Sequence, residues 1–122
     1  MAATSTRARV DRIDDHFANR PAVLRAAYDA ILNASRRLGP VTVEPKKTSI
    51  HLVRVSAFAG VAVRKAALVL TVKSAQDIHS PRIARHERAS ANRWHLETRV
   101  NGPDDVDNEL IAWLTQAYEL AE

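Results

Sequence analysis

The chain has 122 residues, 46% of them hydrophobic and 26% charged, which is long enough to bury the core of one domain and excludes a disordered composition. It has no cysteine, which excludes disulfides, thiolate nucleophiles and cysteine metal sites. The start lacks the apolar core of a secretory signal, and the longest apolar run, 66–70, is too short to cross a bilayer. We therefore expect a cytoplasmic protein without membrane association.

Helical signals come first in chain order. Residues 1–9 show no apolar periodicity and are predicted to form a disordered tail, so a single domain is expected over 10–122. Apolar side chains then recur at helical spacing and predict a short helix over 10–18 and a second helix over 21–38. The Gly-Pro pair at 39–40 supplies the stop for the second helix.

The stretch 41–73 and the later stretch 93–100 alternate in polarity, as β-strands with one buried face do. Short connections make neighbouring strands antiparallel. Strands are predicted at 41–43, 48–55, 58–65, 67–73 and 93–100. A closing helix, with Asp104 as its cap, is predicted after the turn at 101–103.

Residues 74–92 break this alternation and are predicted to form a basic connector with a helical turn after Ser80-Pro81. Long connections inside compact domains are often binding loops, and this one is rich in arginine. The predicted class is α+β: an antiparallel sheet of four to five strands, with two N-terminal helices and one C-terminal helix packed on one face.

The uncovered face of the predicted sheet, together with the connector, gathers cations and histidines. Such side chains bind phosphate groups, whether of a phosphorylated small molecule, a nucleotide or a nucleic-acid backbone. The candidate ligand-binding residues are Lys47, His51, Arg64, Lys73, Arg82, Arg85, Arg93, His95 and Arg99. Aromatic side chains on which bases could stack are missing from this face, so contact with a backbone is favoured over reading of bases.

Other chemistries have weaker patterns. His51, His95 and Glu97 would supply two imidazoles and a carboxylate, but such a trio is more often an ion-paired sheet face, so no metal or other cofactor is predicted. Glu44-Pro45-Lys46 has the spacing of the metal-binding and catalytic pair of a nuclease superfamily, yet an upstream acid such as Asp29 falls on a predicted helix. No catalytic residue is predicted.

Three short patterns carry a family resemblance. They are K-T-S-I-H at Lys47 to His51, R-K at Arg64 and Lys65, and N-R-W-H at Asn92 to His95. With the segments around them, over about Asp14 to Leu120, they resemble a small bacterial family catalogued as domain of unknown function 5655. The resemblance implies a compact α+β unit that occurs alone or beside nuclease-like or other uncharacterised domains, and it implies no activity for these residues.

The net charge of +4 is unevenly distributed, because 46–99 is basic and the last helix is acidic. This separation suits an anionic ligand and also suits self-association. The sequence favours a non-enzymatic binding module whose basic, histidine-bearing sheet face holds an anionic ligand. The alternative is a protein-interaction or homodimerisation module in which that face is the interface, and a metal-dependent nuclease is less favoured.

Overall fold

A computed structural model describes residues 12–122, which form an α+β fold around one antiparallel sheet. The predicted tail, 1–9, lies outside these residues, so the domain limits of 10–122 stay a prediction. The helices are α1 (12–17), α2 (Ala22–Arg36) and α3 (Asn108–Leu120), the last preceded by a 3-10 turn at Pro103–Asp105. The strands are β1 (Thr42–Pro45), β2 (Ile50–Val53), β3 (Ala57–Val63), β4 (Leu68–Ser74), β5 (Ile83–Ser90) and β6 (Arg93–Val100).

The sheet has six strands in the order β1-β2-β3-β4-β6-β5, and every pair is antiparallel. The predicted class is confirmed, but the predicted count of four to five strands is wrong. The additional strand is β5, which occupies much of the stretch predicted as a connector. It pairs only with β6 and forms an edge of the sheet.

The helices pack on one face of the sheet, as the alternation predicts. Both α2 and α3 contact β4, and α3 also contacts β3. The core between them is mostly aliphatic, with fully buried side chains from every one of these elements, including Leu24, Val61, Leu70 and Leu114. Removing such apolar area from water is the main stabilising contribution to a fold of this kind.

The two tryptophans differ in their surroundings. Trp113 on α3 is buried in the core, whereas Trp94 on β6 is only half-buried and packs against the core margin. The Arg88 guanidinium lies 5.8 Å from the Trp94 ring centroid, over the outer part of the sheet. Trp113 therefore belongs to the core, whereas Trp94 lies at its margin.

The closing helix begins later than the sequence predicts. Asp104 lies in the 3-10 turn, and Asp107 is the residue that caps α3, accepting a hydrogen bond from the Leu110 amide at 3.1 Å. A carboxylate at this position satisfies a free helix amide and interacts favourably with the helix dipole.

The two edges of the sheet are irregular. At one edge, β1 ends at Pro45, which has no amide hydrogen to donate. At the other edge, β5 has register shifts at both ends, between Ile83 and Arg85 and between Arg88 and Ser90, and all of its residues except the first are exposed. Among residues 12–122, no helix is long and apolar enough to cross a membrane.

Candidate functional site

The strand register aligns six residues in a row across the face opposite the helices, which we call the open face. The row contains one residue from each strand, namely Glu44, His51, Gly60, Thr71, Glu97 and Arg85. Beside it, Lys73 on β4 is opposite His95 on β6, and Glu87 on β5 follows His95. Because strand residues alternate between faces, these side chains project from the same side of the sheet.

A cleft of about 250 Å³ lies on the open face over β2, β3 and β4 and reaches β6. We call it the open-face cleft. Its polar lining consists of Ser49, His51, Thr71, Lys73 and His95, and four alanine and glycine residues of β3 contribute to its floor. The arrangement places two imidazoles, an ammonium group and two hydroxyls around one depression.

Gly60 keeps the floor of this cleft open. It lies between His51 and Thr71 in the row across the sheet. A Cβ atom added at Gly60 would lie 3.8 Å from His51 Cδ2, which is ordinary van der Waals contact. The absence of a side chain therefore creates space rather than relieving strain.

Two acids of the open face, Glu87 and Glu97, lie on or next to the β5 edge strand and have basic partners there. Arg85 contacts Glu87 at 3.1 Å and Glu97 at 3.7 Å, while His95 Nδ1 lies 3.5 Å from Glu87. Lys73 forms no ion pair with any residue from 12 to 122. It is the one lysine of the cleft lining, which contains no arginine.

The other candidate residues are spread over several places. Arg99 is exposed on the open face opposite Val69, and Arg64 is exposed in the turn after β3. The Arg93 guanidinium donates to the Asn92 carbonyl oxygen at 2.8 Å. Of the nine candidates, three line the open-face cleft: His51, Lys73 and His95.

Lys47 lines a different depression, a cleft of about 220 Å³ where α1 meets the β1–β2 turn. We call it the basic cleft. Its lining consists of Arg12, Asp15, His16, Lys46 and Lys47. No local pattern of residues connects the first helix with this turn, which follows it by about 30 residues.

Arg82 lies on the helix side of the sheet, away from the open-face cleft. Its guanidinium donates to both carboxylate oxygens of Asp107, at 2.8 and 3.0 Å, and to Glu109 at 3.1 Å. It also donates to the Asp105 carbonyl oxygen at 2.8 Å and lies 5.5 Å from the Trp113 ring centroid. These contacts attach the segment before β5 to the start of α3.

This attachment changes the acidity of the helix cap. The hydrogen bonds from Arg82 hold the pKa of Asp107 below its ordinary value, and the Leu110 amide acts in the same direction. A similar pair joins Asp77 to β5, where the hydrogen bond from His86, at 2.6 Å, lowers the pKa of Asp77. Each pair includes one residue of the segment that precedes the edge strand β5, namely Asp77 or Arg82.

The residues considered for metal chemistry have other partners. Glu97 contacts Arg85, and Lys46 pairs with Glu44 at 3.4 Å on either side of Pro45. Asp29 lies on α2 and pairs with Arg25 at 3.6 Å. Within the described residues there is no group of three His, Cys, Asp or Glu side chains arranged to hold a metal ion.

Ser49, Thr71 and Gly60 line the open-face cleft without being among the candidate residues. The alternation of polar and apolar residues places Ser49 and Thr71 on the predicted polar face, so it was sufficient to indicate them as cleft residues. That Gly60 leaves space in the cleft floor can be recognised only from its position between His51 and Thr71. This position depends on the register of three strands.

The fold and the cleft define a class of protein: an α+β domain with one helix-covered and one open sheet face, the latter bearing a small polar depression. A family model described as "Domain of unknown function (DUF5655)" matches residues 13–121, and the chain belongs to this family. The resemblance drawn from the sequence patterns is therefore confirmed. In the other two comparisons, no curated protein and no solved structure matches the chain.

Proposed function

We propose that this domain is a binding module that holds the phosphate group of an anionic ligand in the open-face cleft. The observation that carries the proposal is the convergence of Lys73, His95 and His51 on one depression, with Lys73 free of ion pairs among residues 12–122. Ammonium and imidazole N–H groups form charge-assisted hydrogen bonds with phosphate oxygens. Ser49 and Thr71 supply hydroxyl donors of the kind that complete such a site.

The size of the cleft favours recognition of a group rather than of a whole molecule. At about 250 Å³ it is smaller than pockets that enclose drug-sized ligands, which run from roughly 300 to 1,000 Å³. A phosphate group with its first neighbouring atoms fits this space, and the remainder of the ligand would extend over the open face. Phosphorylated small molecules and nucleic-acid backbones both present such a group.

The alternative, an interface between copies of the chain, has less support. Stable interfaces bury about 800 Å² per partner, and homodimer interfaces are depleted in charge at their centre. The middle of the open face carries Lys73, Glu97 and Arg99 instead. The large hydrophobic side chains exposed among the described residues, Val23 and Val55, do not line the cleft.

A thermal-shift screen tests this proposal. Purified protein is heated with inorganic phosphate, phosphate monoesters, nucleotides, divalent metals and short DNA and RNA, each against potassium chloride at matched ionic strength. A ligand at ten times its Kd stabilises the native state by about 1.4 kcal/mol, which raises the melting temperature by about 5 °C in a domain of this size. We expect phosphate-bearing compounds to give this shift.

Two variants test whether the phosphate-induced rise in melting temperature comes from the open-face cleft. Lys73→Ala removes the cleft cation and is expected to abolish the shift while leaving the melting temperature of the free protein nearly unchanged. Arg36→Ala removes a cation from the end of α2, remote from the cleft lining, and is expected to leave the shift intact. A flat response to every phosphate-bearing compound, combined with melting that depends on protein concentration, would refute the ligand proposal in favour of self-association.

A further inference from the structure

The basic cleft is a second collection of cations, separate from the open-face cleft. It lies between α1 and the β1–β2 turn, has a volume of about 220 Å³ and is lined by five residues, of which only Asp15 is acidic. Arg12, Lys46 and Lys47 bring three positive charges to it. Lys46 shares its charge with Glu44, whereas Arg12 and Lys47 form no ion pair with residues 12–122.

Tertiary contacts hold the two walls of the basic cleft together. The His16 Nε2–H group donates to the Lys46 carbonyl oxygen at 2.8 Å, which joins α1 directly to the turn. On the other side of α1, Arg25 donates to Asp14 at 3.0 Å and lies 5.0 Å from the Phe17 ring centroid. The Phe17 ring also packs against Tyr28, with their centroids 5.3 Å apart. The cleft is thus built into the folded domain.

The two clefts are neighbours across one short turn. Lys47 lines the basic cleft, and Ser49, two residues later, lines the open-face cleft. Two residues of extended chain span at most about 7 Å between Cα atoms. The turn is closed by a hydrogen bond from the Lys46 amide to the Ser49 carbonyl oxygen at 2.7 Å, which fixes this proximity.

We propose that the basic cleft binds a second phosphate of the ligand whose first phosphate occupies the open-face cleft. The ligand class is then a flexible phosphate chain, either phosphodiester or polyphosphate, that passes round the β1–β2 turn. This inference rests on the proposed function and narrows it. Nucleic-acid strands carry one phosphate per about 3.4 Å of helix axis, so a strand of a few nucleotides provides enough phosphates for both clefts.

The missing aromatic platform is consistent with this ligand class. The aromatic residues of the described chain are engaged with the core or with arginine side chains, as Phe17, Tyr28, Tyr118 and Trp94 show. Phe58 is the one aromatic residue of either cleft lining, and it is fully buried against Tyr118, so bases would find no exposed ring on which to stack. Recognition would act on the phosphate chain and be insensitive to base sequence.

Fluorescence anisotropy with a labelled short thymidine oligonucleotide tests the inference. The matched probe is the same oligonucleotide with an uncharged methylphosphonate backbone, which should not bind. The double variant Arg12→Ala/Lys47→Ala is compared with Arg36→Ala/Arg37→Ala, which removes the same charge from the exposed end of α2. Circular dichroism and the melting temperature establish that each variant is folded.

We expect the cleft double variant to bind the oligonucleotide about tenfold more weakly, and the control double variant to bind it like the unaltered chain. The slope of log Kd against log salt concentration should decrease by about 0.7, since the variant loses the contact to one phosphate and each phosphate contact to a single strand contributes about 0.7. The thermal shift with inorganic phosphate should not change, because that probe needs only the open-face cleft.

The outcomes separate this inference from the proposed function. Unchanged oligonucleotide affinity and salt dependence in the cleft double variant, with binding still lost in Lys73→Ala, would overturn the second site and leave the first. Loss of binding in the cleft double variant while Lys73→Ala binds normally would overturn both. Competition with tripolyphosphate then identifies the source: effective competition indicates a polyphosphate chain, and poor competition indicates a phosphodiester chain.

Discussion

Lys73 on β4 lies directly opposite His95 on β6, and both side chains line the open-face cleft. The pair is fixed by the register of two central strands, whose other faces are buried against the helices. Because core packing holds the backbone, the two side chains can be altered with little effect on the fold. Binding and stability are therefore separable by experiment at this position.

Filling the floor of the open-face cleft should reduce binding without harming the fold. Gly60→Ala adds a methyl group in ordinary contact with His51, and Gly60→Val adds a larger side chain suited to a strand. We expect Gly60→Ala to stabilise the chain by up to about 1 kcal/mol, since glycine loses more entropy on folding. The phosphate-induced thermal shift should shrink in Gly60→Ala and vanish in Gly60→Val.

The control for this series is Gly102→Ala, a glycine outside the cleft lining. Its own melting temperature will change, because the added atom would lie 3.2 Å from Val23, but its phosphate shift should match that of the unaltered chain. An undiminished phosphate shift in Gly60→Val would show that the ligand binds elsewhere.

Arg82→Ala should destabilise the domain although Arg82 was predicted to bind ligand. The substitution removes hydrogen bonds to two carboxylates and a carbonyl oxygen, together with the contact over Trp113. Since the Arg82 side chain is 26% exposed and its acidic partners are about half exposed, we expect a loss of about 1–2 kcal/mol in urea unfolding.

Arg85→Ala is the matched control, because Arg85 also contacts two acids but its side chain is 62% exposed. It should cost less than about 0.5 kcal/mol. Equal stability losses in the Arg82 and Arg85 variants would contradict the anchoring role that we assign to Arg82.

The Arg82–Asp107 pair should also make stability depend on pH. The pKa of Asp107 is lowered in the folded state, so the stabilisation is complete above its unfolded value, near 3.8, and is lost as pH falls through the lower folded value. Asp107→Asn keeps a capping side chain but removes the charge. We expect the variant to be less stable than the unaltered chain at neutral pH, and to approach it in stability as the pH falls below 3.8 and through the lower folded pKa of Asp107.

Urea titrations across this pH range measure the difference. Asp104→Asn serves as the reference, because Asp104 is exposed in the 3-10 turn and forms no ion pair with residues 12–122. A constant difference between Asp107→Asn and the unaltered chain at every pH would show that the charge of Asp107 is not responsible.

Gly39→Ala should be strongly destabilising. Gly39 has φ of 154°, a backbone conformation that side chains rarely adopt, and an added Cβ would overlap the Tyr118 hydroxyl group. That hydroxyl donates to the Pro40 carbonyl oxygen at 3.0 Å, so it is not free to move aside. Backbone strain and overpacking together suggest a loss of about 2–4 kcal/mol in urea unfolding.

Tyr118→Phe separates the two causes, because it removes the hydroxyl and costs about 1 kcal/mol by itself. The double variant Gly39→Ala/Tyr118→Phe should lose less than the sum of the single losses, since part of the overlap disappears. Strict additivity of the two losses would mean that the clash contributes nothing and that only the backbone conformation matters.

Strands with one buried face could be predicted from the sequence. In β4, Leu68, Leu70 and Val72 are buried and alternate with half-buried neighbours, because the helices cover one face only. The same physical cause produces the alternation in β6. The predicted polar face and three residues of the open-face cleft follow from this periodicity.

The edge strand β5 could not be predicted in this way. Its residues after Ile83 are exposed on both faces, so burial does not impose alternation on them. The Ser80-Pro81 signal does mark a turn, in which the Ile83 amide donates to the Ser80 carbonyl oxygen at 3.0 Å. That turn leads into a strand rather than a helix.

Contacts between residues far apart in the sequence could not be predicted either. Arg82 meets Asp107 after 25 residues, and His16 meets the Lys46 carbonyl after 30 residues. No local pattern distinguishes Arg82 from Arg99, which is exposed on the open face and forms no ion pair with residues 12–122. The acidic start of α3 neutralises part of the basic segment within the same chain, so the charge separation also serves an internal contact.

The irregular edges of the sheet bear on how the protein behaves when many copies are crowded together. Fibrils grow when a flat strand with regular free amides and carbonyls acts as a template for the next chain. Pro45 interrupts that template at one edge, and the paired bulges and arginines of β5 interrupt it at the other. A six-stranded sheet with one uncovered face can thus resist the addition of further chains at either edge.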